Sequence, residues 1–233
     1  MRFHARLVPI PELSASEKAG MVSLLKRHFE GVKPEDFAVD LAEKSWAILL
    51  KDGNVAVRGF STLDFYRTEV LGEPSHVLFS GDTIIDKEVW GSPVPVQMWL
   101  RSALGFRAKC GTRLDWLLLV SGYRTYRILT TLFRDVHPDY AGTSPGLRER
   151  MDLLARQRFK GLYYPQFGIV KLRHSVHRLR PGVGDIDEAR RRNPVISFFE
   201  RKNPGHIRGD ELCCITEVSE ENLTPAAHRL LRG

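Results

Sequence analysis

The spacing of apolar residues along the first two thirds of the chain predicts alternating strands and helices. Residues 3–9 alternate in polarity as a half-buried strand does, whereas residues 14–29 place apolar side chains at helical spacing behind a serine cap. Asp52-Gly53-Asn54 predicts a hairpin turn. The same criteria predict further helices at 33–43, 94–106 and 123–133, and strands at 45–51, 55–65, 76–85 and 114–120.

The last third of the chain has a weaker pattern. Residues 145–161 form a basic amphipathic helix with Pro at its first position and Gly at its end, and residues 168–172 and 211–218 are typical of strands. Residues 180–208 are rich in Pro, Gly and Arg, which predicts a loop-rich segment with one short helix near 186–192.

These elements predict one α/β (α+β) domain that spans residues 1–233. Within it, residues 141–210 form an irregular basic insertion or extension before the last strand. The chain contains no internal repeat and no low-complexity tract that would indicate a different architecture.

Composition and charge indicate a globular protein that attracts anionic partners. Hydrophobic residues make up 42% of the 233 positions, which is enough for a packed core. The formal net charge is +7 and the pI is about 9.5, with nearly all of the positive excess from Arg148 onward. Such a basic face attracts anions, so an anionic cofactor, an acidic carrier protein, a nucleic acid and a membrane surface all remain open as partners.

Cysteine usage and hydropathy bear on the compartment. Cys110, Cys213 and Cys214 do not have the spacing of a secreted disulfide framework, which indicates a reducing environment. The first residues lack the apolar core of a signal peptide, and no apolar stretch is long enough to span a bilayer. We therefore expect a cytoplasmic protein without a transmembrane segment.

Residues 79–97, FSGDTIIDKEVWGSPVPVQ, combine the parts of a ligand site. A strand that carries Asp82 is followed by a Gly/Pro loop and then by a helix N-terminus. This order places unpaired backbone amides and the positive end of a helix dipole beside a potential base. The segment therefore suits a phosphate or a thioester ligand.

The order of the predicted elements resembles that of the GNAT superfamily of N-acetyltransferases, over roughly residues 1–140 and 211–218. The resemblance implies a mixed, mostly antiparallel central sheet flanked by helices. In that family a loop of pattern Gln/Arg-x-x-Gly-x-Gly/Ala holds the pyrophosphate of coenzyme A. Here the matching residues are Trp90-Gly91-Ser92-Pro93-Val94-Pro95, so the chain resembles a divergent member with a degenerate pyrophosphate loop.

The resemblance implies a coenzyme A thioester as the donor and no metal. Pro93 and Pro95 lack amide hydrogens, so two potential phosphate donors are missing; the alternative interpretation is an ordinary helix start with proline in its first turn. Because an acidic carrier would suit the basic face, a phosphopantetheine-linked acyl group on an acyl-carrier protein is an alternative donor. The residues assigned to the donor are Trp90, Gly91, Ser92, Val94, Val96, Gln97 and Arg124.

Asp82 is the candidate general base. It lies beside Gly81 on an otherwise apolar strand, which predicts a β-bulge, and partial burial would raise its pKa toward a value suited to deprotonating an amine. The alternative is a carboxylate that accepts hydrogen bonds from the bulge amides, which would lower its pKa.

Two further catalytic candidates follow the buried strand at 114–120. In the superfamily, a tyrosine along the next helix often protonates the departing thiolate, but the matching position here is Phe133. We therefore assign this role to Tyr126, with Tyr123 as the alternative. The alternative interpretation is that both tyrosines pack at the helix start with their hydroxyls in water. His137 follows the helix and could face a cleft, although a histidine stabilised by the helix dipole is the more common case.

Three functions are compatible with these features. The leading hypothesis is an N-acyltransferase-like enzyme that moves an acyl group from a thioester to an amine or hydroxyl of an unidentified small-molecule or carrier-protein acceptor. The alternatives are a non-catalytic protein of this fold that binds a ligand or partner, and nucleic-acid binding through basic residues at 148–192, for which a solvated basic face is favoured. His174 and His177 lack a second pair at ligand spacing, so no metal is predicted.

Overall fold

The structure, a computed structural model, describes residues 3–142, 144–171 and 178–232. The helices in chain order are α1 (Ala15–His28), α2 (Pro34–Ala42), α3 (Val94–Lys109), α4 (Tyr123–Leu132), α5 (Pro145–Phe159), α6 (Glu188–Arg191), α7 (Pro194–Lys202) and α8 (Pro225–Arg232). The strands are β1 (His4–Pro9), β2 (Phe29–Glu30), β3 (Trp46–Lys51), β4 (Val57–Val70), β5 (Glu73–Ile85), β6 (Leu114–Val120), β7 (Val136–His137), β8 (Tyr163–Tyr164), β9 (Ile169–Lys171), β10 (Arg178–Leu179) and β11 (Asp210–Glu217).

A nine-stranded mixed sheet forms the centre of the molecule. Its order is β1-β3-β4-β5-β6-β11-β9-β8, with β7 paired to β11 outside this path. Within the described residues, β5 and β6 are parallel and the other neighbouring pairs of this sheet are antiparallel. The predicted fold class, a mixed and mostly antiparallel sheet with flanking helices, is therefore confirmed.

Helices cover both faces of the sheet. Successive side chains of a strand lie on opposite faces of the sheet. Leu118 of β6 lies on one face, which we call the first face, where it packs with residues of α3, α4, α7 and α8. Leu117 lies on the opposite face, which we call the second face, beside α5. Cys213 and Cys214 alternate in the same way, and both are fully buried because helices lie on each side. The three cysteines are free thiols.

The second face has a divided core. One hydrophobic cluster joins α1 and α2 to β1, β3 and β4, and a separate cluster joins α5 to β5, β6 and β11. Polar residues such as Lys44 and Asp64 lie along the strip between the two clusters. This face therefore has an opening over the centre of the sheet.

The two parallel strands at the centre separate after five residue pairs. Pairing between β5 and β6 runs from His76↔Leu114 to Ser80↔Leu118, after which β5 pairs with β4 alone and β6 with β11 alone. A register shift between Ser61 and Leu63 of β4 gives the bulge that the sequence predicted beside Gly81. The strands consequently part at the point where β5 carries Asp82.

The hairpin between β4 and β5 is longer than expected. The sequence indicated a four-residue turn at 72–75, but the strands pair as far as Val70↔Glu73, and Leu71 and Gly72 form a two-residue turn with φ of 57° and 78°. Positive φ at both central positions matches the twist of the flanking strands. The sequence prediction missed the turn because leucine rarely adopts this conformation.

The segment at 180–208 contains more regular structure than predicted. Helix α7 begins at Pro194, and the side chain of Asn193 accepts hydrogen bonds from the amides of Val195 and Ile196. The Asn-Pro pair therefore starts a helix at a position that the sequence analysis assigned to loop.

A buried ion pair ties α5 to the sheet. Arg150 is 8% exposed and donates to Asp115 from Nε at 3.1 Å and from Nη2 at 2.5 Å, while Nη2 also donates to the Ser75 hydroxyl at 2.7 Å. Arg150 is thus unavailable to a nucleic acid, although the sequence placed it in the basic cluster. No helix among the described residues is long and apolar enough to cross a membrane.

Candidate functional site

A cavity of about 1060 Å³ lies where β5 and β6 part. Its wall takes residues from the ends of both strands, from the loop before α3, from the first turns of α4, and from α2 and the end of α5. It therefore joins the opening on the second face to the helix N-termini of α3 and α4. The strand, loop and helix start predicted as a ligand site at 79–97 all contribute to this wall.

Asp82 lies in the cavity wall at the bulge. No described residue forms a hydrogen bond or an ion pair with its carboxylate. Its pKa is raised to about 7, first by burial and then by the carboxylates of Asp40 and Glu211, while Lys44 acts in the opposite direction. The environment is that of the predicted base, and the alternative in which the bulge amides bind this carboxylate has no hydrogen bond to support it.

Glu211 is a second titratable carboxylate of the wall that the sequence analysis missed. Its pKa is raised to about 7 by burial, while a hydrogen bond of 2.5 Å from the Ser121 hydroxyl lowers it and Asp40 raises it. The carboxylate of Glu211 in turn contributes to the raised pKa of Asp82. Sequence alone offers no signal here, because Glu211 reaches Asp82 only through the pairing of β11 with β6.

Further carboxylates surround this end of the cavity. Asp36, Asp40 and Glu43 follow one another at helical spacing, which places them on one side of α2. Lys44 binds Asp40 at 2.5 Å, and its side chain is only 2% exposed. Arg158 of α5 binds Asp64 at 2.9 Å. We call this part of the wall the acidic end.

Aromatic rings complete the acidic end. Phe79 and Phe159 meet edge to face with ring centroids 5.8 Å apart, and both line the cavity. The Arg158 guanidinium lies 3.8 Å from the centroid of Phe79. This cation is therefore held between the ring and Asp64 and is not available to a ligand.

The opposite end of the cavity carries an arginine without an acidic partner. Arg124 lies 3.8 Å from the centroid of the Trp90 ring and 4.9 Å from that of Tyr123, and it donates to the Val183 carbonyl at 3.0 Å. Burial lowers its pKa, and the neighbouring charges of Arg190 and Arg127 act in the same direction. We call the part of the wall formed by Trp90, Arg124, Arg127 and the starts of α3 and α4 the basic end.

The loop before α3 offers fewer amides than expected. The Ser92 amide donates to the Val89 carbonyl at 3.0 Å and the Gln97 amide to the Pro93 carbonyl at 2.9 Å, so both are already bonded. The Val94 amide approaches the Ser92 hydroxyl at 3.4 Å. Among the described residues, the amides of Gly91 and Val96 have no partner.

Two of the residues predicted to bind the acyl donor lie outside the cavity wall. Gln97 does not line the cavity, and its side chain donates to the Leu230 carbonyl at 3.0 Å. Val94 also lies outside the lining, whereas Trp90, Gly91, Ser92, Val96 and Arg124 belong to it. Trp90 is fixed by a hydrogen bond of 3.0 Å from Nε1 to the Ile85 carbonyl.

Tyr126 does not reach the cavity. It is fully buried among Phe198 and Phe199 of α7, and its hydroxyl donates to the Pro138 carbonyl at 2.8 Å. Burial raises its pKa above the usual value. The assignment of Tyr126 as the acid is therefore corrected, since its proton is used in the core on the first face.

His137 also lies elsewhere. It forms part of β7, pairs with Ile215 of β11 and is 7% exposed, outside the cavity lining. Burial lowers its pKa to about 4, and Arg148 lowers it further. His137 is therefore a neutral residue within the sheet and, contrary to what the sequence suggested, does not face the cleft.

Phe133 and Tyr123 have distinct environments. Phe133 is 1% exposed and packs against Trp99 and Trp116, so the position matched to the family's tyrosine is part of the core. Tyr123 is the tyrosine of the cavity wall, at the first position of α4.

His28 is a wall residue that the sequence analysis did not consider. It is 4% exposed, and its Nδ1 lies 3.0 Å from the Leu24 carbonyl. Because that carbonyl can only accept, Nδ1 carries the hydrogen of this bond. Among the described residues, Nε2 has no hydrogen-bond partner.

The described part of the chain contains no group of three or more His, Cys, Asp or Glu side chains arranged to hold a metal ion. The predicted solvated pair, His174 and His177, lies outside the described residues.

Neither a protein-family profile nor a curated protein matches this sequence. Several solved structures are similar in fold. YhbS, a GNAT family N-acetyltransferase from Escherichia coli in complex with CoA, aligns with 55% of this chain and 67% of its own at 18% identity and a TM-score of 0.40. A probable N-acyltransferase from Enterococcus faecalis aligns with 55% of this chain and 31% of its own, at 14% identity and a TM-score of 0.43.

A third example is glucosamine-6-phosphate N-acetyltransferase from Arabidopsis thaliana, which aligns over 51% of this chain and 82% of its own at 12% identity and a TM-score of 0.38. The aligned part is about half of this chain in each case, and it spans less than a third of the Enterococcus protein. These likenesses concern fold alone.

Proposed function

We propose that this protein transfers an acyl group from a coenzyme A thioester to an amine. The observation that carries the proposal is the cavity of about 1060 Å³ between β5 and β6, which has at one end an arginine without an acidic partner among the described residues and at the other end carboxylates with raised pKa. An anionic donor and an amine acceptor would thus enter from opposite ends and meet in the gap between the strands.

The basic end provides the binding groups for the donor. Arg124 supplies a fixed guanidinium, and the free amides of Gly91 and Val96 supply hydrogen-bond donors near the start of α3. Helix α4 begins without a side-chain cap, so the backbone amides of its first turn are also free to bind an anion. In this proposal a side-chain cation compensates for the amides that Pro93 and Pro95 remove from the loop.

The acidic end provides the base. Asp82 takes a proton from the ammonium group of the acceptor, and the free amine attacks the thioester carbonyl. A C–N bond forms, the C–S bond breaks, and the sulfur leaves as a thiolate that takes up a proton. A carboxylate with a pKa of about 7 is matched to this task, since a useful fraction is ionised at neutral pH.

Tyr123 replaces Tyr126 as the proposed acid for the thiolate. It belongs to the cavity wall at the basic end, where the sulfur would leave, whereas Tyr126 donates its proton within the core. A phosphopantetheine arm on an acyl-carrier protein would present the same thioester and phosphate, so it remains the alternative donor.

Calorimetric titration with CoA, acetyl-CoA and a long-chain acyl-CoA tests the donor. Saturation near one equivalent is the expected result, followed by amine-dependent release of free thiol in a colorimetric assay. If no member of the series binds and no thiol is released, coenzyme A is excluded as the donor. Acyl-carrier protein would then be tried in the same assay, and its failure would leave a non-catalytic protein.

A further inference from the structure

We infer that the acceptor is an aliphatic amine that carries a second positive charge, such as an alkyl diamine. This inference rests on the proposed acyl transfer, because it concerns the acidic end of the same cavity. It is carried by the balance of charge in this part of the cavity and by the apolar wall between the charges.

The acidic end has more carboxylates than cations. Six of them line it: Asp36, Asp40, Glu43, Asp64, Asp82 and Glu211. Lys44 and Arg158 neutralise one each, through Asp40 and Asp64. The remaining four have no cationic partner among the described residues. A single ammonium group would leave most of this negative charge uncompensated, so a second cation on the acceptor is favoured.

These four carboxylates form an inner pair and an outer pair. Asp82 and Glu211 lie beside the gap between the strands, and both are partly buried. Asp36 and Glu43 belong to the region of α2 and are exposed at the mouth. The inner pair would face the reacting amine, and the outer pair would face the second charge.

An apolar surface is available for the chain that joins the two charges. Phe79 and Phe159 line the acidic end together with Leu119 of β6. Methylene groups would pack against these side chains, whereas a polar linker would lose hydrogen bonds to water.

Anionic and zwitterionic acceptors fit this wall poorly. The carboxylate of an amino acid would meet Asp36 and Glu43, while the nearby cations are already engaged, Lys44 with Asp40 and Arg158 with Asp64. Like charges that approach in this way repel each other and reduce affinity.

Three acceptors of equal chain length test the inference: diaminobutane, butylamine and aminobutyrate. With acetyl-CoA, or whichever donor supports turnover, we expect kcat/KM to be at least about tenfold higher for diaminobutane than for butylamine, and aminobutyrate to be the poorest. Raising the ionic strength should reduce the difference, since the mouth is exposed to solvent.

The double variant Asp36→Asn/Glu43→Gln removes the outer pair. We expect it to raise KM for diaminobutane about tenfold, with little change in kcat and in the KM for butylamine. Glu35→Gln is the matched control, because Glu35 is exposed on the same helix and does not line the cavity. An equal effect of the control would attribute the change to net charge and overturn the inference.

Failure of the inference and of the proposed function are distinguishable. If butylamine and aminobutyrate are acylated as well as diaminobutane, the diamine inference is wrong and acyl transfer stands. If no amine is acylated, the proposed function fails. Calorimetric binding of diaminobutane to the unliganded protein still decides the inference in that case: binding that is weakened in the double variant supports it, and absence of binding overturns it.

Discussion

Asp82 and Glu211 derive their chemistry from their surroundings. Each is an ordinary carboxylic acid, but burial and the nearby carboxylate of Asp40 raise both pKa values to about 7. Arg124 shows the reverse effect, because burial and neighbouring arginines lower its pKa. At the residue scale, the site is therefore characterised by ionisable side chains, those of Asp82, Glu211 and Arg124, that have no oppositely charged partner among the described residues.

Replacing Asp82 tests its role as the base. We expect Asp82→Asn to lower turnover by about 10² to 10⁴-fold while calorimetric binding of coenzyme A is retained. In the wild type, kcat/KM should rise as the pH increases through about 7, because the base acts in its ionised form. Unchanged turnover in the variant would remove Asp82 from the mechanism.

The same substitution should change stability in a pH-dependent way. Since the folded pKa of Asp82 is raised from 3.8 to about 7, its contribution to stability is fully present below about pH 4 and is lost as the pH rises through about 7. We expect Asp82→Asn to raise the free energy of unfolding by about 1–3 kcal/mol at pH 8 and by much less at pH 5. Denaturant unfolding at both pH values measures this difference.

Arg124 is the residue on which the donor end depends. We expect Arg124→Ala to weaken binding of coenzyme A at least about tenfold, because a charge-assisted hydrogen bond to phosphate is lost. Arg201→Ala is the control, since Arg201 is exposed on α7, bonds Ser197 and does not line the cavity. Equal affinities of the two variants, measured by calorimetry, would place the donor elsewhere.

At the scale of elements, the bulge in β5 positions Asp82 and requires glycine beside it. A Cβ atom on Gly81 would lie 2.7 Å from the Thr62 Oγ1 and 2.9 Å from the Lys44 Cε. Both neighbours are buried, and Lys44 is held by Asp40. The close approach therefore couples the conformation of β5 to the acidic end of the cavity.

A pair of glycine substitutions tests this coupling. We expect Gly81→Ala to lower the free energy of unfolding by about 1–3 kcal/mol, because Thr62 and Lys44 must shift. Gly105→Ala is the same change within α3, where nothing lies within 4 Å of the new atom, and we expect a gain of about 0.5–1 kcal/mol. Equal effects in urea unfolding would contradict this role of Gly81.

At the scale of the whole molecule, α5 closes the second face of the acidic end. Its docking depends on Arg150, which joins α5 to Asp115 of β6 and to Ser75 of β5. The helix then carries Arg158 and Phe159 to the cavity. The basic segment that begins near residue 141 is therefore integrated with the sheet through this contact.

Removing the buried cation tests the docking. We expect Arg150→Met to lower the free energy of unfolding by about 2–3 kcal/mol, because the fully buried Asp115 loses its hydrogen bonds from Arg150 and keeps only the ion pair with Arg113. Arg148→Met should change stability by no more than about 0.5 kcal/mol, since the Arg148 side chain is 58% exposed. Similar denaturant midpoints for the two variants would show that Arg150 does not anchor α5.

The sequence determined most strands, most helices and the bulge, because these follow from local periodicity, caps and glycine, whereas the two-residue strands β2, β7, β8 and β10 were not predicted. It also located Asp82, the loop at 90–96 and Arg124, which lie within one continuous stretch or at the start of the next helix. Only the tertiary structure decided which of these residues face the cavity and which lie in the core. Tyr126 and His137 are near the site in sequence, yet packing on the first face and pairing with β11 bury them elsewhere. Glu211 and His28 are distant in sequence and reach the cavity through strand order and helix packing, which no local pattern encodes.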